Sequence, residues 1–340
     1  MYYDNRIYIE SIDNIAKELP VKSGRLLITG ATGLIGTCLA DVFQSANDNH
    51  DCTFEIFALG RNSERLNKRF SGNKDVKCIS QDIVKPIEIE GLDYIINAAS
   101  IADPRSYALY PVETILTNVM GTKNVLDYCK ENVKTRALLT STFEVYGKLD
   151  LDEYGEEDFG IIDNKQLRYC YPESKRTSEF LFRAYHDEYG VNCVIARLSS
   201  IYGPTMLDDD SKAHAQFLRN ALKHEDIVLK SEGKQKRTYC YVMDAVSGLL
   251  TVLFKGEACE AYNVAYDQSI ATIAEVAQTI ADIAGTKVIF DLPDAVEAKG
   301  FSKPQNIVLK TDKLKSLGWR GKYRLKDGMS DTLEILSGKE

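Results

Sequence analysis

The sequence predicts an α/β fold: a doubly wound parallel sheet with a smaller C-terminal lobe. Three observations carry this. Short apolar runs alternate with longer amphipathic stretches from Ser23 to Ser200, a glycine-rich turn joins the first run to the first helix, and the alternation loosens after Tyr202-Gly203-Pro204. The predicted strands are Arg25–Thr29, Phe54–Leu59, Val76–Ser80, Tyr94–Ala98, Arg136–Thr140 and Asn192–Arg197. Leu34–Gln44, Val112–Asn132 and Glu173–Tyr189 read as helices between them, and each spacing suits a right-handed crossover. Ser11–Leu19 predicts a short helix ahead of the first strand. Beyond the turn come a helix Ala213–Leu222, a strand Arg237–Val242 and a helix Asp244–Phe254, the last two read as a return to the first domain. The predicted division is an N-terminal extension over 1–22, a first domain over 23–200 and 236–255, and a lobe over 201–235 and 256–340.

Composition narrows the function. With 340 residues, 44% hydrophobic and 27% charged, the chain can bury a sizeable core and is not a disordered or low-complexity sequence. Forty-two basic against 50 acidic side chains leave a formal charge of −8, which argues against a nucleic-acid footprint. The opening MYYDNRIYIE lacks a cationic start and an apolar core, and no run of about eighteen apolar residues occurs, so neither a signal peptide nor a membrane span is predicted. A cytoplasmic protein is expected. The eight cysteines stand singly, without metal-ligand spacing, and predict reduced thiols and no metal site. Asp208-Asp209-Asp210 lacks His or a spaced carboxylate partner and reads as a solvated loop.

Gly30-Ala-Thr-Gly33-Leu-Ile-Gly36 follows the first strand and opens a helix, the context a dinucleotide loop needs. Gly30 permits a tight turn, Gly33 lets backbone approach a pyrophosphate, and Gly36 lets helix and sheet close together, with helix N–H groups aimed at the anion. This predicts a Rossmann-type nucleotide domain, although the spacing is GxxGxxG. The second strand usually ends in an acid that binds the adenosine ribose; here Arg61 stands after Gly60, and a guanidinium there can pair with a 2′-phosphate. The cofactor is therefore expected to be NADP or NAD, with NADP slightly favoured by Arg61. Asp82, after the third strand, is either an acceptor for an adenine amino group or a turn residue.

Tyr171 and Lys175 lie four apart and share a helix face. A bare Tyr-x-x-x-Lys is near what chance supplies in a chain with 19 tyrosines, so its place decides: one unit after a strand ending Leu139-Thr-Ser-Thr142-Phe-Glu144. Such strands deliver their C-terminal ends to the ligand crevice. Taking a hydride from a carbinol requires a base for its hydroxyl proton; a free tyrosine titrates near 10, and an adjacent ammonium favours phenolate. Thr142 can hydrogen-bond the same oxygen. Glu144, two residues on, is expected on the same side of an extended strand end, within reach of the carbon next to a new ketone.

TGATGLIG, NAAS, PVETILTNVMGTKNVL, TSTFEVYG, YPESK, RLSSIYGP and YCYVMDAV occur in the order seen in extended short-chain dehydrogenases/reductases. Over roughly residues 25–335 the chain resembles the NAD-dependent epimerase/dehydratase group acting on nucleotide-diphosphate sugars. ASIADPRSYALYPVETI and RYCYPESKRTSE resemble UDP-glucuronate decarboxylases most closely. The resemblance implies transient oxidation of the sugar at C4, with Tyr171, Lys175, Thr142 and Glu144 catalytic. It implies a cofactor lined by Gly30, Thr32, Gly33, Leu34, Ile35, Gly36, Arg61, Asp82, Ile83, Ala98, Ala99 and Lys175, and a sugar nucleotide held by Ser141, Thr142, Ser200 and Arg237. It also implies a homodimer through Val112–Asn132 and Glu173–Tyr189.

Three departures matter. Phe143 stands where 4,6-dehydratases carry the acid of a Thr-Asp-Glu triple, Ser200 stands for an Asn before the Tyr-Gly-Pro turn, and Lys303-Pro-Gln-Asn306 replaces an Arg-rich segment, which weakens a decarboxylase assignment. An NADPH-dependent reductase of a nucleotide-linked keto sugar, and a dinucleotide-sensing binding protein, are the alternatives.

Overall fold

The computed structural model describes residues 2–292 and 306–338. In chain order the first half contains α1 (Arg6–Lys17), β1 (Ser23–Thr29), α2 (Leu34–Asn49), β2 (Thr53–Gly60), α3 (Ser63–Phe70), β3 (Val76–Ser80), β4 (Tyr94–Asn97), α4 (Pro104–Leu109), α5 (Pro111–Glu131) and β5 (Arg136–Thr142). Then come α6 (Cys170–Tyr189), β6 (Cys193–Leu198), β7 (Ser200–Tyr202), α7 (Ala213–Leu222), β8 (Ile227–Leu229), β9 (Lys236–Tyr241) and α8 (Val242–Lys255). The chain closes with β10 (Ala261–Val264), β11 (Ile270–Thr272), α9 (Ile273–Ala284), β12 (Val288–Phe290), α10 (Asp312–Ser316) and α11 (Leu325–Ser337).

The main sheet has seven strands in the order β3-β2-β1-β4-β5-β6-β10, every pair parallel. Its central strands are near-continuous apolar runs because both faces are covered: Leu26 and Ile28 join a core with α1, α2 and α8, while Leu27 and Ile95 join one with α5 and α6. The strand order reverses between β1 and β4, so the ligand crevice lies at their C-terminal ends.

Three expectations are corrected here. The N-terminal helix starts at Arg6, not Ser11, because the Asn5 side chain accepts from Ile7 and Tyr8 N–H and caps it; Tyr8, Ile12, Ile15 and Ala16 then bury one face against the first core. The strand predicted to rejoin the first domain, β9, pairs instead with β7 and β11 in a separate three-stranded sheet. The seventh strand of the main sheet is β10, which the predicted division places in the lobe. Helix α8 does return to pack on the main sheet.

The lobe is completed by α7, α9, α11 and the paired β8 and β12. A capping box of Thr272 and Glu275 starts α9, and Gly285 ends it in a left-handed turn. Among the described residues, no helix is long and apolar enough to cross a membrane, and no cluster of His, Cys, Asp and Glu could hold a metal. Asp209 and Asp210 pair with Arg65 and Lys212.

Candidate active site

The glycine loop leaves β1 through Gly30 at φ +67°, where a Cβ would lie 2.7 Å from the Ala98 carbonyl oxygen. Gly36 packs as closely: a Cβ there would lie 2.4 Å from Gly30 O. Gly33 is the N-cap of α2 and supplies no side-chain cap, so the first-turn N–H groups, including those of Leu34 and Ile35, keep their positive end free for an anion. A Cβ at Gly33 would meet only Gly30 O, at 3.3 Å, and would otherwise project into open space. A pyrophosphate fits this cradle. Thr32 is half-buried beside it, and Ala99 N–H donates to Thr29 Oγ1 at 3.0 Å across the crevice floor.

Arg61 is exposed directly after β2, and Asn62 next to it caps α3 by accepting from Arg65 N–H. Asp82 accepts from Val84 N–H at 3.2 Å, making a local turn, while Ile83 is buried against Gly121.

At the end of β5, Thr142 stands near enough to the Tyr171 phenol, in the first turn of α6, to lower its pKa. Lys175, one turn on, is buried and donates from Nζ to the Thr140 carbonyl at 2.9 Å, leaving further donors on the ammonium. Burial lowers Lys175 to about 8, opposed by Glu179, so it is charged below that pH. Tyr171 departs from expectation. Burial raises its pKa, the nearby Glu144 charge raises it further, and Thr142 only partly offsets them, so the protein's own groups hold the phenol neutral.

Glu144 arrives by a different path from the one predicted. Phe143–Tyr146 form a 3₁₀ turn capped by Thr142, whose Oγ1 accepts from Glu144 N–H at 3.3 Å, so the alternation of an extended strand does not apply. The carboxyl is still close enough to act on Tyr171, Tyr107 and Cys170. Burial raises its pKa, while Arg168, Arg237 and Lys212 pull the other way. Phe143 lies beneath the Arg237 guanidinium, 5.1 Å from ring centroid to Cζ, and Arg237 Nη1 is buried without a hydrogen-bond partner.

Of the residues expected on the substrate, Thr142 and Arg237 converge with Glu144. Ser141 does not face the crevice: its hydroxyl donates to Glu179 at 2.5 Å. Ser200 is half-buried on β7, opposite Tyr239 of β9. Of the departing segment, residues 303–305 lie outside the described residues, while the Asn306 side chain accepts from Lys236 N–H at 2.8 Å.

Three neighbours were not foreseen. Tyr107 stacks on Tyr171, the Arg168 charge acts on Tyr107, and Lys212 stands before α7. Asp103-Pro104, a capping acid before proline, is a helix-start signal that could have revealed α4 and with it Tyr107; Asp103 accepts from Ser106 N–H at 2.9 Å.

Residues 26–265 match the family model described as the NAD dependent epimerase/dehydratase family. A UDP-glucuronic acid decarboxylase 6 from Arabidopsis thaliana is 33% identical over 311 residues, covering 90% of this chain and 86% of that protein. A UDP-glucuronic acid decarboxylase 1 from Danio rerio is 32% identical over 315 residues, covering 92% and 72%. Among solved structures, a dTDP-glucose 4,6-dehydratase double mutant from Streptomyces venezuelae with NAD bound shares the fold at a TM-score of 0.78 and 24% identity, covering 93% of this chain and 97% of that one. A UDP-glucuronic acid 4-epimerase mutant from Bacillus cereus does so at 0.77 and 20%, covering 92% and 98%. The chain belongs to the NAD dependent epimerase/dehydratase family.

Proposed function

We propose that this protein oxidises a nucleotide-diphosphate sugar transiently at C4 and works on the ketone so formed. The observation that supports this most is the meeting of Thr142, Tyr171 and Glu144 at the end of β5, with Lys175 one turn behind. UDP-glucuronic acid is the first substrate to test, because the two relatives at 32–33% identity are UDP-glucuronic acid decarboxylases and because, with Lys212 paired to Asp210, Arg168 and Arg237 still bring two positive charges to the single Glu144 carboxylate.

The cradle at Gly30, Gly33 and Gly36 and the spare Lys175 donors suit a nicotinamide dinucleotide, which when bound accepts hydride from C4 and can return it. Tyr171, neutral in the chain alone, must first release its phenolic proton to solvent, a step that positive charge brought by a bound oxidised nicotinamide would favour. The phenolate then takes the proton of the C4 hydroxyl, and Thr142 holds that oxygen in line. Lys175, charged below about pH 8, offers a cation one turn away and donors for ribose hydroxyls. Glu144 moves a proton at C5, which an adjacent C4 carbonyl acidifies. Phe143 offers no acid for loss of a C6 hydroxyl, which disfavours a 4,6-dehydratase.

Arg61 supports NADP as the cofactor, and with it a second reading, an NADPH-consuming reductase of a keto sugar. Incubation of the protein with UDP-glucuronic acid and NAD or NADP, followed by mass and NMR analysis, separates the outcomes. Loss of carbon dioxide indicates a decarboxylase, unchanged mass with inverted C4 a 4-epimerase, and stoichiometric NADPH oxidation on a keto sugar a reductase. No change of any sugar nucleotide contradicts the proposal.

A homodimer is supported by apolar side chains left exposed on α5 and α6, among them Val112 (61% exposed), Leu116, Met120 and Phe180 (73%). Sedimentation should show a dimer that Leu116→Glu dissociates; a monomeric parent contradicts it.

A further inference from the structure

Three side chains one turn apart on α6 meet three consecutive residues of β5. Tyr171 reaches Thr142, Lys175 reaches the Thr140 carbonyl, and Glu179 accepts from Ser141 Oγ. The third contact takes no part in the proton chemistry above, yet it is the most heavily built. Glu179 is 6% exposed, and Arg197 of β6 donates from Nη2 to Oε2 at 2.8 Å and from Nε to Oε1 at 3.1 Å. Arg197 Nη1 continues to the Tyr146 hydroxyl at 3.2 Å and the Glu156 carbonyl at 2.7 Å, and Tyr146 donates to Asn263 of β10 at 2.6 Å. One carboxylate thus links α6 to β5, β6 and β10.

A buried ion pair is poor support for stability by itself, because well-packed apolar side chains serve as well. An apolar pair could neither tie Ser141 to the helix nor place a negative charge below the lysine. We propose that Glu179 is a positioning residue: clamped by Arg197, it holds the end of β5 through Ser141 so that Thr142 meets Tyr171, and it sets a carboxylate one helical turn below Lys175. This rests on Tyr171 and Lys175 being the working pair.

The charges around these groups give the idea a distinct readout. Glu179 is the charged group that supports the Lys175 ammonium against burial, while β5 offers Lys175 a carbonyl; Tyr171 is the next titratable group on the helix face. Facing Glu179 are Arg197 from β6, Ser141 from β5 and Lys175 and Arg176 from its own helix, with Arg176 turned toward the carbonyls of Val145 and Gly160. Without the carboxylate, burial and the remaining cations act on the lysine unopposed.

Trace acetylation with acetic anhydride over roughly pH 6–10, read by mass spectrometry at the Lys175 peptide, measures that titration in the full chain without substrate. Amide exchange at Thr140–Thr142 reads the strand end. In Glu179→Gln the lysine should titrate about one unit lower or more, a rise of about fivefold or more in its neutral fraction near pH 7, and Glu179→Asp should recover most of the shift. Both Glu179→Gln and Ser141→Ala should speed exchange at Thr140–Thr142, with Ser141→Ala leaving the lysine titration in place. A folded Glu179→Gln with parental titration and exchange overturns the proposal. If Glu179→Gln does not fold, Ser141→Ala decides, and parental exchange there overturns it. Because neither readout uses a sugar nucleotide, absence of turnover would contradict the proposed function and leave this result standing.

Discussion

The ring of Tyr107 lies parallel to that of Tyr171, with 5.3 Å between centroids and 7° between planes. Tyr107 comes from α4, is buried, and lies close enough to Arg168 to feel its charge, so it forms a wall that fixes the plane of the phenol, with a cation beside it. Tyr107→Ala should lower the rate of hydride transfer about 10- to 100-fold through misplacement of Tyr171 and cost about 3 kcal/mol of stability. Stopped-flow absorbance and denaturant melts check both; a parental rate removes the stacking from the account.

Glu144 is held beside the reacting end of β5 by a 3₁₀ turn, with a pKa raised by burial. If it works at C5, incubation with UDP-glucuronic acid in heavy water should place deuterium there. Glu144→Gln should stop that exchange while reduced cofactor still forms. Protium retained at C5 in the parent assigns Glu144 to substrate holding.

Arg61 is exposed after β2, at the place of a ribose-binding acid. Calorimetry should show NADP(H) binding more tightly than NAD(H), and Arg61→Ala should cut that preference about tenfold, the scale of one charge-assisted contact. Equal or tighter NAD binding by the parent refutes the assignment.

His214 sits between Tyr202 and Tyr239, and burial, with Lys212 and Arg219 adding to it, lowers its pKa to about 4, while Asp210 and an Ile201 hydrogen bond oppose. The folded value lies below the unfolded one, so the unfolded chain takes the proton first. This stability is complete above about pH 6.5 and is lost as pH falls toward about 4. Asp244 and Asp331, raised to about 6 by burial, act in the opposite sense over the lower part of that window. His214→Phe should therefore lose about 1–3 kcal/mol less than the parent between those pH values. Identical pH dependence of melting in the two proteins contradicts this.

What was legible in the sequence was local. Gly30, Gly33 and Gly36 carry their meaning in their own turn, and the helix face shared by Tyr171 and Lys175 follows from spacing alone. Tyr107, Arg168 and Lys212 reach the same crevice from three separate segments, and no periodicity announces such convergence. Glu144 was placed by a strand rule at the residue where the strand had ended. Strand β9 is a related case: Arg237–Val242 reads as a strand while the short Ala261–Val264 carries no strand prediction, and only tertiary pairing decides which joins the main sheet. Spacing could have revealed Glu179, four residues after Lys175.

The central claim is that Tyr171 takes the proton from a C4 hydroxyl as hydride leaves. Single-turnover formation of reduced nicotinamide, with saturating cofactor and UDP-glucuronic acid, tests it most directly in the parent and in Tyr171→Phe. The account predicts a rapid rise in the parent and a rate lower by about 10³-fold in the variant, with cofactor affinity unchanged. A variant within a few-fold of the parent would contradict it.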